Sequence, residues 1–570
     1  MGRARRLLFA VAVVALLFWW LSGDDAPVVE SGSVLVIELS GVYVDAPQTP
    51  LLARLLGEEQ RPLVSLLSDF RKAARDPRIG AVIVRVRNLQ IGWAKAQEIR
   101  AGIREMSERG HRVVGLLDLE AFGANLEYYV ASAAPEVYAT PAARAPLLGL
   151  AGEYLFFGGL WESIGVELEV ERIGRFKTAA ETLAARSMSA ANREMANSLL
   201  DSLDAQLLGG IAEARGLSDS EVRAAIDAAA VDPAEQQAQG LLDGIRELDE
   251  LVEALGDGPV LYGHDYARVS PASAGIEPVA RFALIYGSGG VVSGRGSRGA
   301  GGAPVLASDT VGEALEEAAA EPSFDALIFR VDSPGGSALA SDSVFRALRR
   351  AQEEGKPVVA SFSDVAASGG YYVAAGADAI VASPATLTGS IGVFALRPVL
   401  GGLYDKLDIG FETLTRGRHA ALQLSARPLS EGDRARLQAQ VRSIYELFVE
   451  RVAEGRSMQV TAVDAMARGR VYTGVQALEL GLVDELGGVF AAIARAKEAL
   501  GIDADAEVEL IPYPPPRTLF EEITLELNGA VMSRTGVEIL EARLDALAPW
   551  LGALSGGAPV ALLPFPFEVH

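Results

Sequence analysis

Ala81-Val-Ile-Val-Arg-Val86 and Ala326-Leu-Ile-Phe-Arg-Val331 are two versions of one apolar run, separated by an offset of 245 residues. The same offset carries Val113-Val114 onto Val358-Val359. After a two-residue difference the offset becomes 243. It then matches Tyr128-Tyr129-Val130-Ala131 to Tyr371-Tyr372-Val373-Ala374, Pro141 to Pro384, Gly158-Gly159-Leu160 to Gly401-Gly402-Leu403, and Gly174 to Gly417. A period this long is a duplicated domain, not a solenoid unit. In this alignment Ser368 stands opposite Asn125 and Lys177 opposite Ala420, and both intervals, 125 to 177 and 368 to 420, span 52 residues. An ancestral unit carrying both Ser and Lys, duplicated and then stripped of one in each copy, accounts for the pattern.

Each half alternates short apolar runs with helical patterns. In the first half the order is Val34 to Leu39, Leu63 to Arg75, Ala81 to Val86, Ala94 to Arg109 and Val113 to Leu117. In the second it is Phe282 to Tyr286, Val311 to Glu321, Ala326 to Val331, Ser341 to Glu354 and Val358 to Phe362. Strands separated by helices imply right-handed βαβ units, so the fold class is α/β with mainly parallel sheets in two tandem domains. The reading divides the chain into a tip, anchor and linker (1–32), a first repeat (33–255), a connector (256–280) rich in Gly, Pro and Ser, a second repeat (281–500) and a C-terminal extension (501–570). The glycine-rich stretch Gly287 to Ala303 reads as a mobile loop. The extension passes through Pro514-Pro515-Pro516 and two helical patterns to an apolar tail, Ala558 to Val569, which has no assigned role.

At 570 residues the chain exceeds what one hydrophobic core usually organises, so at least two are expected. The absence of cysteine excludes disulfides, thiolate metal sites and a Cys nucleophile. A formal charge of −24 with no concentrated basic patch disfavours nucleic acid as a partner. Arg3, Arg5 and Arg6 precede an apolar run from Leu7 to Leu21 that ends in Trp19-Trp20-Leu21. Its 15 residues are short for a span and also suit a signal-peptide core. The paired tryptophans and the lack of an Ala-x-Ala site favour one retained N-terminal transmembrane helix, with the basic tip cytoplasmic and the rest on the other side.

The chemistry gathers in the second half. Asp332-Ser333-Pro334-Gly335-Gly336 ends a strand and opens a helix, which turns backbone N–H groups toward a developing negative charge. Ala367-Ser368-Gly369-Gly370 can turn sharply and bring the Gly369 N–H beside a substrate oxygen, making Ser368 a candidate nucleophile. A serine needs a base. Of the four histidines only His419 lies in a suitable region, one position off the lysine column. Lys177, beside Phe176 and small residues, can serve if an apolar setting lowers its pKa toward neutrality. The matched interval favours Lys177. This chemistry calls for no cofactor and no metal.

Asp332-Ser-Pro-Gly-Gly336, Ala366-Ala-Ser-Gly-Gly-Tyr-Tyr372, Thr386-Leu-Thr-Gly-Ser-Ile-Gly-Val393, Gly469-Arg-Val-Tyr-Thr-Gly474 with Gly481-Leu-Val-Asp484, and Gly174-Arg-Phe-Lys-Thr-Ala179 occur in this chain. Together they resemble the signal peptide peptidase A family in its long, duplicated bacterial form, over roughly residues 5 to 500. The resemblance implies two tandem Clp/crotonase-like domains behind one transmembrane helix and a serine endopeptidase with a Ser/Lys dyad. It makes Ser368 the nucleophile, Lys177 the general base, Gly335 and Gly369 the oxyanion donors, and Ser390 the hydroxyl that orients the lysine. It further implies a membrane-bound homotetramer on the extracytoplasmic side of the bacterial inner membrane, acting on cleaved signal peptides and other apolar peptides. The chain departs from the family pattern in its C-terminal extension and in its first repeat, where Arg87-Asn88-Leu89 replaces Asp-Ser-Pro and Leu126-Glu127 replace two glycines. Two other readings stay open at this stage: a crotonase-like acyl-CoA enzyme that stabilises an enolate, and an inactive membrane-bound scaffold of the same fold.

Overall fold

The computed structural model describes residues 27–46, 60–296, 303–515 and 560–562. The run read as a membrane anchor lies outside them, as do the two helical patterns of the extension, and among the described residues no helix is long and apolar enough to cross a membrane.

The first repeat builds a parallel sheet. Ser33–Val44, Ile79–Gln90, Arg112–Leu117 and Glu136–Ala139 lie side by side in that order, flanked by Arg61–Pro62 and Gly244–Ile245. Val82, Ile83, Val84 and Val86 are all fully buried, as a strand covered by helices on both faces must be. The second repeat sets Pro278–Ser288, Ala326–Ser333, Val358–Ala367 and Ala379–Ala382 in the same parallel order. Helices Leu63–Arg75 and Trp93–Glu108 recur as Ser308–Ala320 and Ala338–Glu353, residue for residue at the 245 offset.

Each repeat closes on its own first strand. Val260–Tyr262 pairs in parallel with Val34 to Val36, and Glu507–Pro512 pairs in parallel with Pro278–Ser288. These strands fall in the segments read as connector and extension. A strand of three residues between Gly, Pro and His carries too short an alternation to be seen in the sequence.

A further sheet ties the repeats together. Glu167–Arg172 of the first repeat runs antiparallel to Phe394–Val399 of the second. The glycine-rich stretch expected as a mobile loop instead contributes Gly290–Val292 to this sheet, parallel to Val305–Ala307 and beside Gly336. Its glycines serve close approach: a Cβ on Gly289, at φ +83°, would overlap the Pro304 carbonyl oxygen at 1.9 Å. In the apolar tail, Val560–Leu562 runs antiparallel to Gly335–Ser337.

The largest apolar cluster crosses the repeat boundary. It joins Leu67, Phe70, Ile99 and Ile103 of the first repeat to Phe282, Ile328, Val381 and Ile493 of the second. A second large cluster, around Phe345, Phe362 and Phe448, belongs to the second repeat. One of the two large cores is therefore common to both halves.

Candidate active site

Ser368 follows directly on strand Val358–Ala367 with φ 57° and ψ −116°, a backbone region that favours glycine. Holding a serine there costs roughly 1–3 kcal/mol, so the surrounding bonds must impose it. They are present: the Ser368 N–H donates to the Gly389 carbonyl at 2.8 Å, and its own carbonyl accepts from the Tyr372 N–H at 2.9 Å, opening the short helix Gly369–Tyr372. Gly369 and Gly370 allow this turn to touch the Asp332 to Gly336 turn. A Cβ on Gly369 would stand 2.9 Å from the Gly336 nitrogen, and one on Gly370 2.3 Å from the Ser333 carbonyl oxygen. Gly335 has φ 102°, and its N–H makes a long 3.3 Å bond to Ser333 Oγ. Backbone donors from both turns thus lie beside Ser368.

Lys177 arrives from the first repeat. Its Nζ is 2.7 Å from Ser368 Oγ, 2.9 Å from the Ser390 carbonyl oxygen and 3.0 Å from Ser390 Oγ. The side chain is fully buried, and burial holds its ammonium pKa well below that of an ordinary lysine. A neutral amine has two N–H groups and one lone pair. Two donations to Ser390 leave the lone pair for the Ser368 O–H.

The glycine motifs are two halves of the joint that carries the lysine. A Cβ on Gly469, at φ +81°, would come within 2.5 Å of the Lys177 Cα, and one on Gly174, at φ +95°, within 2.3 Å of the Arg468 carbonyl oxygen. Phe176 locks the segment by packing against Met195, Leu199, Leu387 and Val471, with the Arg470 guanidinium 4.7 Å over its ring. His419, the alternative base, is engaged elsewhere: its Nδ1 lies 2.7 Å from Asp433 Oδ1, at the N-terminal end of helix Glu431–Gly455.

The sequence pattern of peptidase family S49 matches two segments of the chain, residues 116–259 and 350–503, one in each repeat. A chloroplastic serine protease of Arabidopsis thaliana, SPPA, is 35% identical over 91% of this chain and 76% of its own length. The chain belongs to peptidase family S49. Enzymes named Protease 4 from Salmonella typhi and Haemophilus influenzae are each 27% identical over 95% of this chain and 90% of their own lengths. It is a serine peptidase, and of the three readings left open by the sequence this is the one that membership supports.

The two S49 repeats spend the polar groups at equivalent positions differently. At the position equivalent to Ser368, Asn125 spends its side chain on the loop in front of it, donating to the Gly149 carbonyl at 2.8 Å and accepting from the N–H groups of Leu148 and Gly149 at 2.9 and 3.1 Å. At the position of Gly370, Glu127 accepts from the Leu89 N–H at 3.1 Å. Ala420, opposite Lys177, opens an exposed one-turn 3-10 helix.

Sequence reasoning missed a group beneath the site. Lys95 of the first repeat binds Asp332 and Asp364, which lie just upstream of Gly335 and Ser368. The signal was available as a departure from the repeat, since Lys95 stands opposite Ala340 and Asp332 opposite Arg87.

Proposed function

We propose that this S49 peptidase cleaves extended apolar peptides, cleaved signal peptides among them, with Ser368 as nucleophile and Lys177 as general base. The observation that carries the reading is the 2.7 Å approach of the Lys177 amine to Ser368 Oγ in a site where burial holds the lysine pKa well below its ordinary value. Neutral Lys177 takes the Ser368 proton as Oγ bonds to the scissile carbonyl carbon. The carbonyl oxygen becomes an oxyanion facing the Gly335 and Gly369 N–H groups. As the tetrahedral intermediate collapses the C–N bond breaks, and the ammonium returns its proton to the departing amine. Water, deprotonated by Lys177, then releases the acyl group and restores Ser368. Ser390 keeps the amine aimed throughout by accepting its two N–H groups.

The binding mode follows from the edge of strand Gly335–Ser337. The chain's own tail already seats a strand there, Gly335 opposite Leu562 and Ser337 opposite Val560. A substrate strand would take the same ladder bonds and lie along the nucleophile. The seated segment is apolar, Val560-Ala561-Leu562, which agrees with an apolar substrate.

The run Leu7 to Leu21 behind three arginines supports a retained membrane anchor with the catalytic repeats on the extracytoplasmic side of the bacterial inner membrane. Exposed Leu155, Leu160 and Ile164 of the first repeat, with Leu407, Ile409 and Leu414 of the second, offer apolar surface for assembly with further copies, and a homotetramer is the expected form. In a test with the purified chain and a signal-peptide-derived apolar peptide, Ser368→Ala and Lys177→Met abolish cleavage while remaining folded. Full activity in either variant overturns the dyad, and loss of activity in His419→Ala instead transfers the base to that histidine.

A further inference from the structure

Beneath the two catalytic turns the repeats meet through six charged side chains: Asp45, Lys95 and Glu98 from the first, and Arg330, Asp332 and Asp364 from the second. The meeting point is a break in the central ladder. Val331 pairs with Phe362 and Ser333 with Ala366, so residues 363 to 365 face Asp332 alone. Side chains replace the lost ladder bonds. Asp332 Oδ1 accepts from the Val365 N–H at 3.2 Å, and Lys95 Nζ holds Asp332 Oδ2 and Asp364 Oδ2 at 2.6 Å each.

Lys95 grips the same point with its backbone. Helix Trp93–Glu108 has Gly92 as its N-cap and makes no side-chain cap bond there. Asp364 Oδ1 supplies one from the other repeat, accepting the Lys95 N–H at 3.1 Å. Only glycine allows this, because a Cβ on Gly92 would overlap Asp364 Cγ at 2.3 Å. The Arg330 guanidinium, fully buried, completes the cluster by donating to Asp45 Oδ1 at 2.8 Å and Glu98 Oε1 at 2.5 Å.

Asp332 lies three residues before Gly335, and Asp364 lies four before Ser368. Whatever holds these two carboxylates together therefore sets how the oxyanion turn stands against the nucleophile. We propose that Lys95 is a positioning residue for catalysis, fixing the spacing between the turn that carries the Gly335 N–H and the strand that carries Ser368. The first repeat then supplies two lysines to one site, Lys177 at the reacting hydroxyl and Lys95 behind the oxyanion donors. The inference rests on the Ser/Lys reading above.

A purely structural role predicts something different. The cluster sets four carboxylates against two cations. The Asp332 carboxyl is pushed up to about 7 by burial, with Asp45 and Asp364 adding to the effect and Lys95 opposing it. Tyr286, whose phenol burial also pushes upward, faces Asp45. The Asp332 carboxyl binds its proton more tightly in the folded chain than in the unfolded one, so ionising it costs stability as pH rises from the ordinary carboxylate range toward 7. Asp332→Asn removes that cost and keeps an acceptor for the Val365 N–H, but loosens Lys95. Stability and positioning then move in opposite directions.

The test measures peptide turnover, affinity for a peptide boronate that places an oxygen in the oxyanion position, and melting temperature at pH 8. Lys95→Met should lower kcat about 30- to 100-fold with KM within about twofold, and weaken the boronate in proportion. Lys95→Arg should recover part of the loss. Asp332→Asn should lower kcat about tenfold while melting at the same temperature as the parent or higher. If Lys95→Met does not fold, Asp332→Asn decides. Unchanged kcat and boronate affinity in the folded variants, or a loss confined to KM, overturns the positioning role. Labelling of Ser368 in the parent by a fluorophosphonate separates the two layers. An unlabelled parent sinks the Ser/Lys reading itself, whereas a labelled parent with unaffected variants sinks only the role of Lys95.

Discussion

The corner at Ser368 and the corner at Asn125 are one turn built twice, and they differ in how their polar groups are spent. The scaffold is shared. Tyr128 donates to the Leu241 carbonyl at 2.7 Å as Tyr371 does to the Leu482 carbonyl at 2.9 Å, and Asp243 and Asp484 each accept a strand N–H, of Val137 and Ile380, at 2.7 Å. At Asn125 every bond turns inward, three to the loop at 148 and 149 and one from Leu89 to Glu127. At Ser368 the hydroxyl meets a fully buried amine whose pKa burial lowers, and the neighbouring turn presents the Gly335 N–H at a long 3.3 Å from Ser333 Oγ. A reactive corner holds polar groups in reserve, at a cost in backbone strain and desolvation. The quiet corner has satisfied them.

The largest expected effect comes from removing either half of the dyad. Ser368→Ala and Lys177→Met should each lower kcat at least about 10³-fold, measured on an apolar peptide. Lys177→Met should melt no earlier than the parent, because a lysine whose pKa is lower folded than unfolded costs stability at every pH below its ordinary value. The same sign governs activity. It should appear as pH rises through the depressed Lys177 pKa, well before an exposed lysine would lose its proton, and the kcat/KM profile reads this directly.

The second effect compares glycines at equivalent positions. Gly174→Ala would force a Cβ to 2.3 Å from the Arg468 carbonyl oxygen and displace the lysine segment, and about 10²-fold in kcat should be lost. Among the described residues Gly417→Ala meets nothing nearer than 4.0 Å and should cost only backbone strain, with kcat within about twofold. Equal losses at both would erase the asymmetry between the repeats.

Smaller effects belong to the quiet corner. Asn125→Ala should lower stability by about 1–3 kcal/mol in chemical denaturation, by stranding the Leu148 and Gly149 N–H groups, while kcat stays within about threefold. Glu127→Gln should change stability by about 1 kcal/mol or less near pH 5 and raise it relative to the parent at higher pH. Burial pushes the Glu127 carboxyl above its ordinary value against the Leu89 N–H, so its ionisation costs stability as pH rises through the carboxylate range. Melting temperature against pH checks the sign.

Much of this was legible in the chain because a duplication lets each half report on the other. The offset placed the strands and helices, and the matched interval required Lys177 to reach Ser368, which the structure does at 2.7 Å. Gly174 and Gly469 could be read as motif glycines, but that they face each other across one joint could not. Lys95, Asp332 and Asp364 stayed hidden for a physical reason. Their partnership depends on how the two sheets dock, a contact between residues 237 and 269 positions apart that no local periodicity encodes. The closing strands at 260 to 262 and 507 to 512 were missed because pairing, not propensity, makes them strands.

The central claim is that the working site is assembled from both repeats, with the base from one and the nucleophile from the other. Its most direct measurement is the rate at which a fluorophosphonate acylates Ser368 in the full chain, compared between the parent, Lys177→Met and Asn125→Ala. The account predicts near-parental labelling in Asn125→Ala and a rate reduced at least about 10³-fold in Lys177→Met. Labelling of Ser368 at the parental rate without Lys177 would contradict it.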